Sequence, residues 1–372
     1  MRVSITSVTA LCLAAGGASA GGIDRSGQSI GVLFEEGRYL ELNAVSVTPE
    51  LTGDARAPFA SGSGSGDVAP SYFRWGAAYK ADINDKLSYA IILDEPFGAD
   101  VEYPGGTGYF ASTSNAEFDS RALTGLLRYK LNSGFSVYGG LRIQSVEANA
   151  DVNFVRPVGP PLFYSANADV HYGVGYVAGL AYEKPEIALR VSLTYSSEIS
   201  HSVDTNETVL GFGSLSTSTE FETPQSVNLE FQTGVAADTL LFGGIRWVDW
   251  SDFALDPSLY QTVTGGSNLL SYEEDVVTYT LGVGRRLNDN WSVAASLGYE
   301  ENTGNLFTNL GPADGQESLS LAAIYSEGNY EITTGIRYIR IGDTTTGVSG
   351  TPAANFNDND AIAIGVKIGF RF

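Results

Sequence analysis

Apolar and polar positions alternate along most of this chain, and the alternation is cleanest where the sequence stops. In AIAIGVKIGFRF, Ala361 to Phe372, every even position is apolar, whereas the odd ones are Ala, Gly, Lys and Arg. A period of two marks a strand whose faces meet different surroundings. The same pattern sets Leu123, Leu127 and Tyr129 against Thr124, Arg128 and Lys130, and Phe135, Val137, Leu141 and Ile143 against Ser136, Tyr138, Arg142 and Gln144. It returns in Leu189, Val191, Leu193 and Tyr195, and again in Val227, Leu229 and Phe231.

Short polar turns join these runs at 82–86, 131–134, 183–186, 236–239, 287–290 and 326–329, each rich in Asn, Asp, Gly or Pro, the residues tight hairpins need. Between them lie longer Gly-, Ser-, Thr- and Asp-rich segments at 53–70, 156–166, 302–316 and 343–360. Six hairpins, an opening strand near 39–50 and a closing strand at 361–372 give about fourteen strands, an even number with both termini at the short-turn end.

The non-apolar face decides what kind of sheet this is. It is repeatedly Gly, Ala and Ser with a single Arg, a poor water-facing surface but a plausible lumen. Tyr79, Tyr129, Tyr182, Trp291, Tyr325 and Tyr330 gather at strand ends, as in an interfacial aromatic girdle. The expected fold is all-β: a transmembrane antiparallel β-barrel of about fourteen strands with short periplasmic turns and long extracellular loops. A propeller of repeated blades does not account for the difference between long loops and short turns.

Composition sharpens the compartment. MRVSITSVTALCLAAGGASA carries Arg2, an apolar core and the small triplet Ala18-Ser19-Ala20, so residues 1–20 read as a secretory signal peptide. Residues 21–38 then precede the barrel, which takes in 39–372. Cys12, the sole cysteine, falls within the signal, which excludes disulfides and thiol chemistry from the mature chain. A net charge of −22 disfavours nucleic acid. The two histidines, His171 and His201, have no local Ser or acid arrangement for catalysis, and His201 is expected in a loop. The chain is not expected to be an enzyme, to bind a metal or to need a cofactor.

At TPQSVNLEFQTGVAADTLLFGGIRWVDWSDF (223–253), the sequence resembles the FadL-like family of outer-membrane transport proteins. Pro224 opening a strand, Arg246-Trp247 and Trp250-Ser251-x-Phe253 carry the resemblance. RSGQSIGVLFEEG (25–37) and TPELTG (48–53) resemble the family's N-terminal segment and first-strand end. The family's Asn-Pro-Ala element is replaced by EEGRYLELNAVSV (35–47). The resemblance implies a monomer in the bacterial outer membrane, termini periplasmic, with the N-terminal segment plugging the lumen. It also implies uptake of long-chain fatty acids or aromatic hydrocarbons by loop capture, lumen binding and lateral release near a kinked strand. Other expected partners are outer-membrane lipid, lipopolysaccharide and the barrel-assembly machinery, which would recognise Phe372. A structural or adhesive barrel, or a general diffusion porin, is the alternative.

Candidate contacts follow from the faces. Inward Arg74, Arg128, Arg142, Arg190, Arg246, Arg337 and Lys367 can pair with lumen acids such as Glu230 or with plug residues Glu35 and Glu36. Arg142 and Arg190, with Tyr138 nearby, are the candidates for a fatty carboxylate. Apolar stretches in predicted loops, VGPPLFYSA (158–166) with Leu162, Phe163 and Tyr164, and VLGFGSL (209–215) with Phe212, are candidates for cargo capture.

Overall fold

The computed structural model describes residues 23–59 and 62–372; the predicted signal peptide lies outside them. Fourteen antiparallel strands close into one barrel. They are β1 (Tyr39–Glu50), β2 (Tyr72–Asp82), β3 (Leu87–Asp94, resuming as Gly98–Glu102), β4 (Asn115–Lys130) and β5 (Phe135–Phe154). Next come β6 (Leu162–Lys184), β7 (Leu189–Ser196, resuming as Ile199–Val209), β8 (Gly213–Thr223, resuming as Ser226–Ala236) and β9 (Thr239–Val248). The last are β10 (Val276–Arg286), β11 (Trp291–Glu300), β12 (Gln316–Glu327), β13 (Tyr330–Ile341) and β14 (Asn359–Arg371). All six predicted turns fall between consecutive strands at one end of the barrel.

Closure is made by the two termini of the barrel. β1 pairs with β14 from Tyr39↔Arg371 to Glu50↔Asp360, so neither strand keeps an open edge. Gly369 is needed at this seam because the Tyr39 ring occupies the space a Cβ would fill, 2.1 Å from its hydroxyl. Outward positions carry the apolar residues: Leu141 and Val174 are 64% exposed and Ile364 60%. Their inward neighbours Arg142, Gly175 and Ala363 are buried. Such a surface is stable where the solvent is hydrocarbon. Among the described residues no helix is long and apolar enough to cross a membrane, so strands make the crossing.

The long-loop end is more ordered than its composition suggests. Leu306–Thr308, Thr344–Val348, Thr351–Phe356 and Gly53–Ala55 form a small four-stranded sheet of their own. Phe59, Tyr103, Phe110, Phe154 and Phe356 belong to one buried cluster at this end, so 53–59, 62–70 and 343–360 are parts of a packed cap. The segment between β9 and β10 contributes a single helical stretch, α1 (Ser258–Thr264). Leu162, Phe163 and Tyr164 correct the sequence reading: they lie on β6, which begins at Leu162, because the loop ends at Pro160-Pro161. His201 is likewise on a strand, β7, and not in a loop.

Candidate functional site

The N-terminal segment runs inside the barrel and touches staves on several sides of it. The Arg246 guanidinium of β9 donates to Asp24 at 2.6 Å and to Asn228 of β8 at 2.8 Å. Arg25 pairs with Asp100 of β3 at 2.5 Å, and the Ser26 hydroxyl donates to Asp94 at 2.7 Å. Arg142 donates to the Gln28 side-chain oxygen and, at 2.9 Å, to Thr124. A one-turn 3₁₀ helix, Gly31–Phe34, is buried, and the Phe34 ring lies between the Arg128 and Arg190 guanidiniums at 4.5 and 4.7 Å. Tyr138 meets the same ring edge-on at 5.9 Å. Glu35 accepts from Arg371 at 2.7 Å, whereas Glu36 is exposed.

Above this segment sits an apolar cavity of about 60 Å³. Its wall is a ladder of small side chains from four neighbouring strands: Ala99, Ala116, Ala148, Ala150, Ala166 and Ala168. Phe118 and Phe221 line its inner side, while Leu255, Leu269, Leu270 and Leu310 cover it. Beneath lies an aromatic cluster in which Trp250 meets Phe97, Phe253 and Tyr272 at 5.7, 5.4 and 5.1 Å. On α1, burial raises the Tyr260 phenol to about 12, against the lowering effect of nearby Arg156. A second pocket, about 210 Å³, opens at the loop end between Arg156, Leu162 and Tyr260.

Small residues at alternate positions leave room on a lumen face without offering a polar partner, so the cavity suits an apolar ligand. The signal was in the sequence, as Ala at every second position in EANAD and SANAD, but there it reads as filler.

The wall is breached beside the N-terminal segment. β2 pairs with β3 only from Ala77↔Leu93 to Asp82↔Ser88, and among the described residues 72–76 keep a ladder partner on the β1 side alone. The cause is a break in β3 at residues 95–97, where three residues face Ser120 and Arg121 of β4 before pairing resumes at Gly98↔Asp119. The Glu95 carboxylate takes over the Trp75 backbone N–H at 3.3 Å. A cavity of about 110 Å³ opens here, lined by Ser26, Arg74, Asp94, Glu95 and Lys367.

The family model described as outer membrane protein transport protein (OMPP1/FadL/TodX) matches residues 29–309. The chain belongs to this family. Its place is therefore the outer membrane, and its family is one of transport proteins. No curated protein matches the sequence. The barrel superposes on a Pseudomonas aeruginosa FadL homologue with a TM-score of 0.78 at 15% identity, covering 99% of this chain and 98% of that one. The Pseudomonas putida toluene transporter TodX gives 0.66 at 12%, covering 91% and 90%. The CymD monoaromatic hydrocarbon channel gives 0.59 at 16%, covering 91% and 89%. At these identities the likeness concerns the fold.

Within this FadL/TodX barrel the predicted contact residues separate into two groups. Arg142, Arg190 and Tyr138 are engaged by the N-terminal segment, and their partners are Gln28 and Phe34 instead of open lumen. At the loop end, Leu162 and Tyr164 are buried, Phe163 is 45% exposed and Phe212, at a hairpin tip, 78% exposed. Phe163 and the tip are tied by a backbone bond from Leu210 N–H to the Phe163 carbonyl at 3.0 Å. Sequence reasoning missed Arg156 and the alanine ladder.

Proposed function

We propose that this protein takes hydrophobic molecules, long-chain fatty acids first among them, inward across the outer membrane. The long-loop end faces outward and both termini face the periplasm. Exposed Val158, Phe163, Leu210 and Phe212 capture the cargo, and Arg156 in the mouth pocket receives a carboxylate. The chain of the cargo then enters the alanine-lined cavity under the α1 lid. The N-terminal segment closes the lumen below, so the cargo leaves sideways at the breach between β2 and β3. The observation that carries the reading is the apolar cavity with its alanine wall; a general diffusion pore wants a wide polar channel. A second reading, monoaromatic hydrocarbons, draws on the edge-to-face aromatic cluster around Trp250 and on what TodX and CymD are named for.

The test compares uptake of labelled palmitate and labelled toluene by cells lacking their own transporter. Palmitate uptake above the level of barrel-free cells, reduced by Arg156→Gln, is expected. Toluene uptake alone, unaffected by that substitution, would favour the second reading. Uptake of neither would leave a structural or adhesive barrel.

A further inference from the structure

The barrel wall is interrupted a second time, between β6 and β7. Their ladder runs up from Lys184↔Leu189 to Val177↔Ser196 and resumes only at Ala168↔Thr205. Between these points, among the described residues, the strands run side by side without ladder partners. The burial pattern shows why. Asp169 and Val170 both face out on β6, and Ser196 and Ser197 both face in on β7, so each strand slips by one position at the edge of the gap.

One backbone bond remains at the lower edge, Ser197 N–H to the Tyr176 carbonyl at 2.9 Å, and above it side chains fill the seam. Cβ atoms built on Gly173 and Gly175 would meet Ile199 at 2.4 and 2.6 Å, so these glycines make the space that Ile199 occupies. Across the seam the chain's two histidines meet, His171 Nδ1 to His201 Nδ1 at 3.2 Å. His201 Nε2 faces the Gln144 Oε1 at 3.3 Å, an acceptor that already receives the Thr223 hydroxyl at 2.7 Å. One imidazole of the pair donates to the other across this contact.

What lies on either side gives the seam a use. Inside, Ala168 of β6 and Val203 and Thr205 of β7 belong to the lining of the apolar cavity, and His201 stacks on Phe221 at 5.4 Å. Outside, Val170, Tyr172, Val174 and Tyr176 of β6 are exposed and apolar, facing Glu198, Ser200, Ser202 and Asp204 exposed along the β7 side. The β2–β3 breach, by contrast, is lined by Arg74, Asp94, Glu95 and Lys367. An apolar molecule crossing at the breach must pass charged groups, whereas at the seam it keeps the apolar β6 face on one side.

The upper part of β7 and β8 is a hairpin set off from the strands below it and laddered to β6 from Ala168↔Thr205 to Tyr164↔Val209. Both strands break at the same level, at Ser197-Glu198 and at Pro224-Gln225, leaving Ile199–Thr223 as a hairpin hinged at two points. This hairpin carries Glu207, whose carboxylate accepts the Leu259 and Tyr260 backbone N–H groups of α1 at 3.0 Å. Swinging the hairpin thus shifts the cavity's lid together with its wall.

We propose that the seam between β6 and β7 is a second lateral exit, used by cargo without a charged head, with the 199–223 hairpin as its gate and the His171–His201 pair as its latch. The inference rests on the transport reading above. The test ties the seam shut with Gly173→Cys and Ile199→Cys, an opposed pair in a chain whose sole other cysteine is Cys12. Labelled toluene is the probe. Uptake is expected to fall to the level of barrel-free cells when the pair is oxidised and to return with dithiothreitol, while Ile199→Cys alone takes up toluene at the same rate oxidised or reduced. Oxidised protein that takes up toluene at the wild-type rate would overturn the second exit. A wild-type barrel without uptake of toluene or palmitate would instead sink the transport reading, and this inference with it. Gly175→Cys with Ser197→Cys ties the same seam if the first pair does not assemble.

Discussion

Arg246 concentrates much of what holds the N-terminal segment in place. Its guanidinium reaches Asp24 at 2.6 Å, Asn228 at 2.8 Å and Ser226 at 3.2 Å, with both charged partners largely buried. Removing one member of such a pair leaves the other charge uncompensated, at a cost of about 3–5 kcal/mol. Arg246→Ala is therefore expected to release the segment while the barrel, whose ladder it does not touch, stays closed. Single-channel conductance should rise and trypsin should cut at Arg25. Unchanged conductance together with protected Arg25 would show that Asp24 is not the anchor. At this scale the sequence told which way a side chain points but not what it meets. Arg142 was legible as an inward cation because Leu141 and Ile143 flank it. Its partner Gln28 stands 114 positions away, in a segment with no period to read.

Among the elements, α1 was not legible at all. Seven residues cannot form a stable helix alone, so SLYQTVT carries no helical signal of its own. It is held from outside, by a buried carboxylate on a different strand: Glu207 also accepts the Tyr164 hydroxyl at 3.0 Å and that of Thr217 at 2.9 Å. Replacing Glu207 by Gln turns one of the two acceptor oxygens into a donor facing donors, costing about 1–3 kcal/mol locally. Limited proteolysis should then cut within 256–268, with heat-modifiable migration of the barrel unchanged. Resistance equal to wild type would mean that the leucine contacts of the lid hold it without the cap. The strands and the six short turns were legible for the opposite reason. Each strand's pattern is imposed by lipid on one side and lumen on the other, so it is written locally. Where the barrel rises above the membrane this failed, at Leu162 to Tyr164 and at His201. There the outer face no longer has to be apolar, and the strand resembles a loop.

For the whole molecule the decisive event is closure, and the last residue divides folding from stability. Phe372 is 69% exposed; its ring meets that of Phe370 at 4.8 Å, and its backbone N–H donates to the Arg38 carbonyl at 3.1 Å. So small a set of contacts contributes little to a sheet whose closing ladder already runs from Tyr39↔Arg371 to Glu50↔Asp360. If Phe372 matters, it matters before the ladder exists, while β14 is being recognised and paired. Deleting it is expected to lower the amount of barrel in the outer membrane, whereas the fraction that does insert should unfold at the wild-type temperature. Truncating residues 23–35 should do the reverse, leaving assembly intact and opening the lumen. These two variants separate an assembly signal from a structural contact. Normal surface levels without Phe372 would remove the signal, and a lowered unfolding temperature would assign the residue to the closed sheet instead.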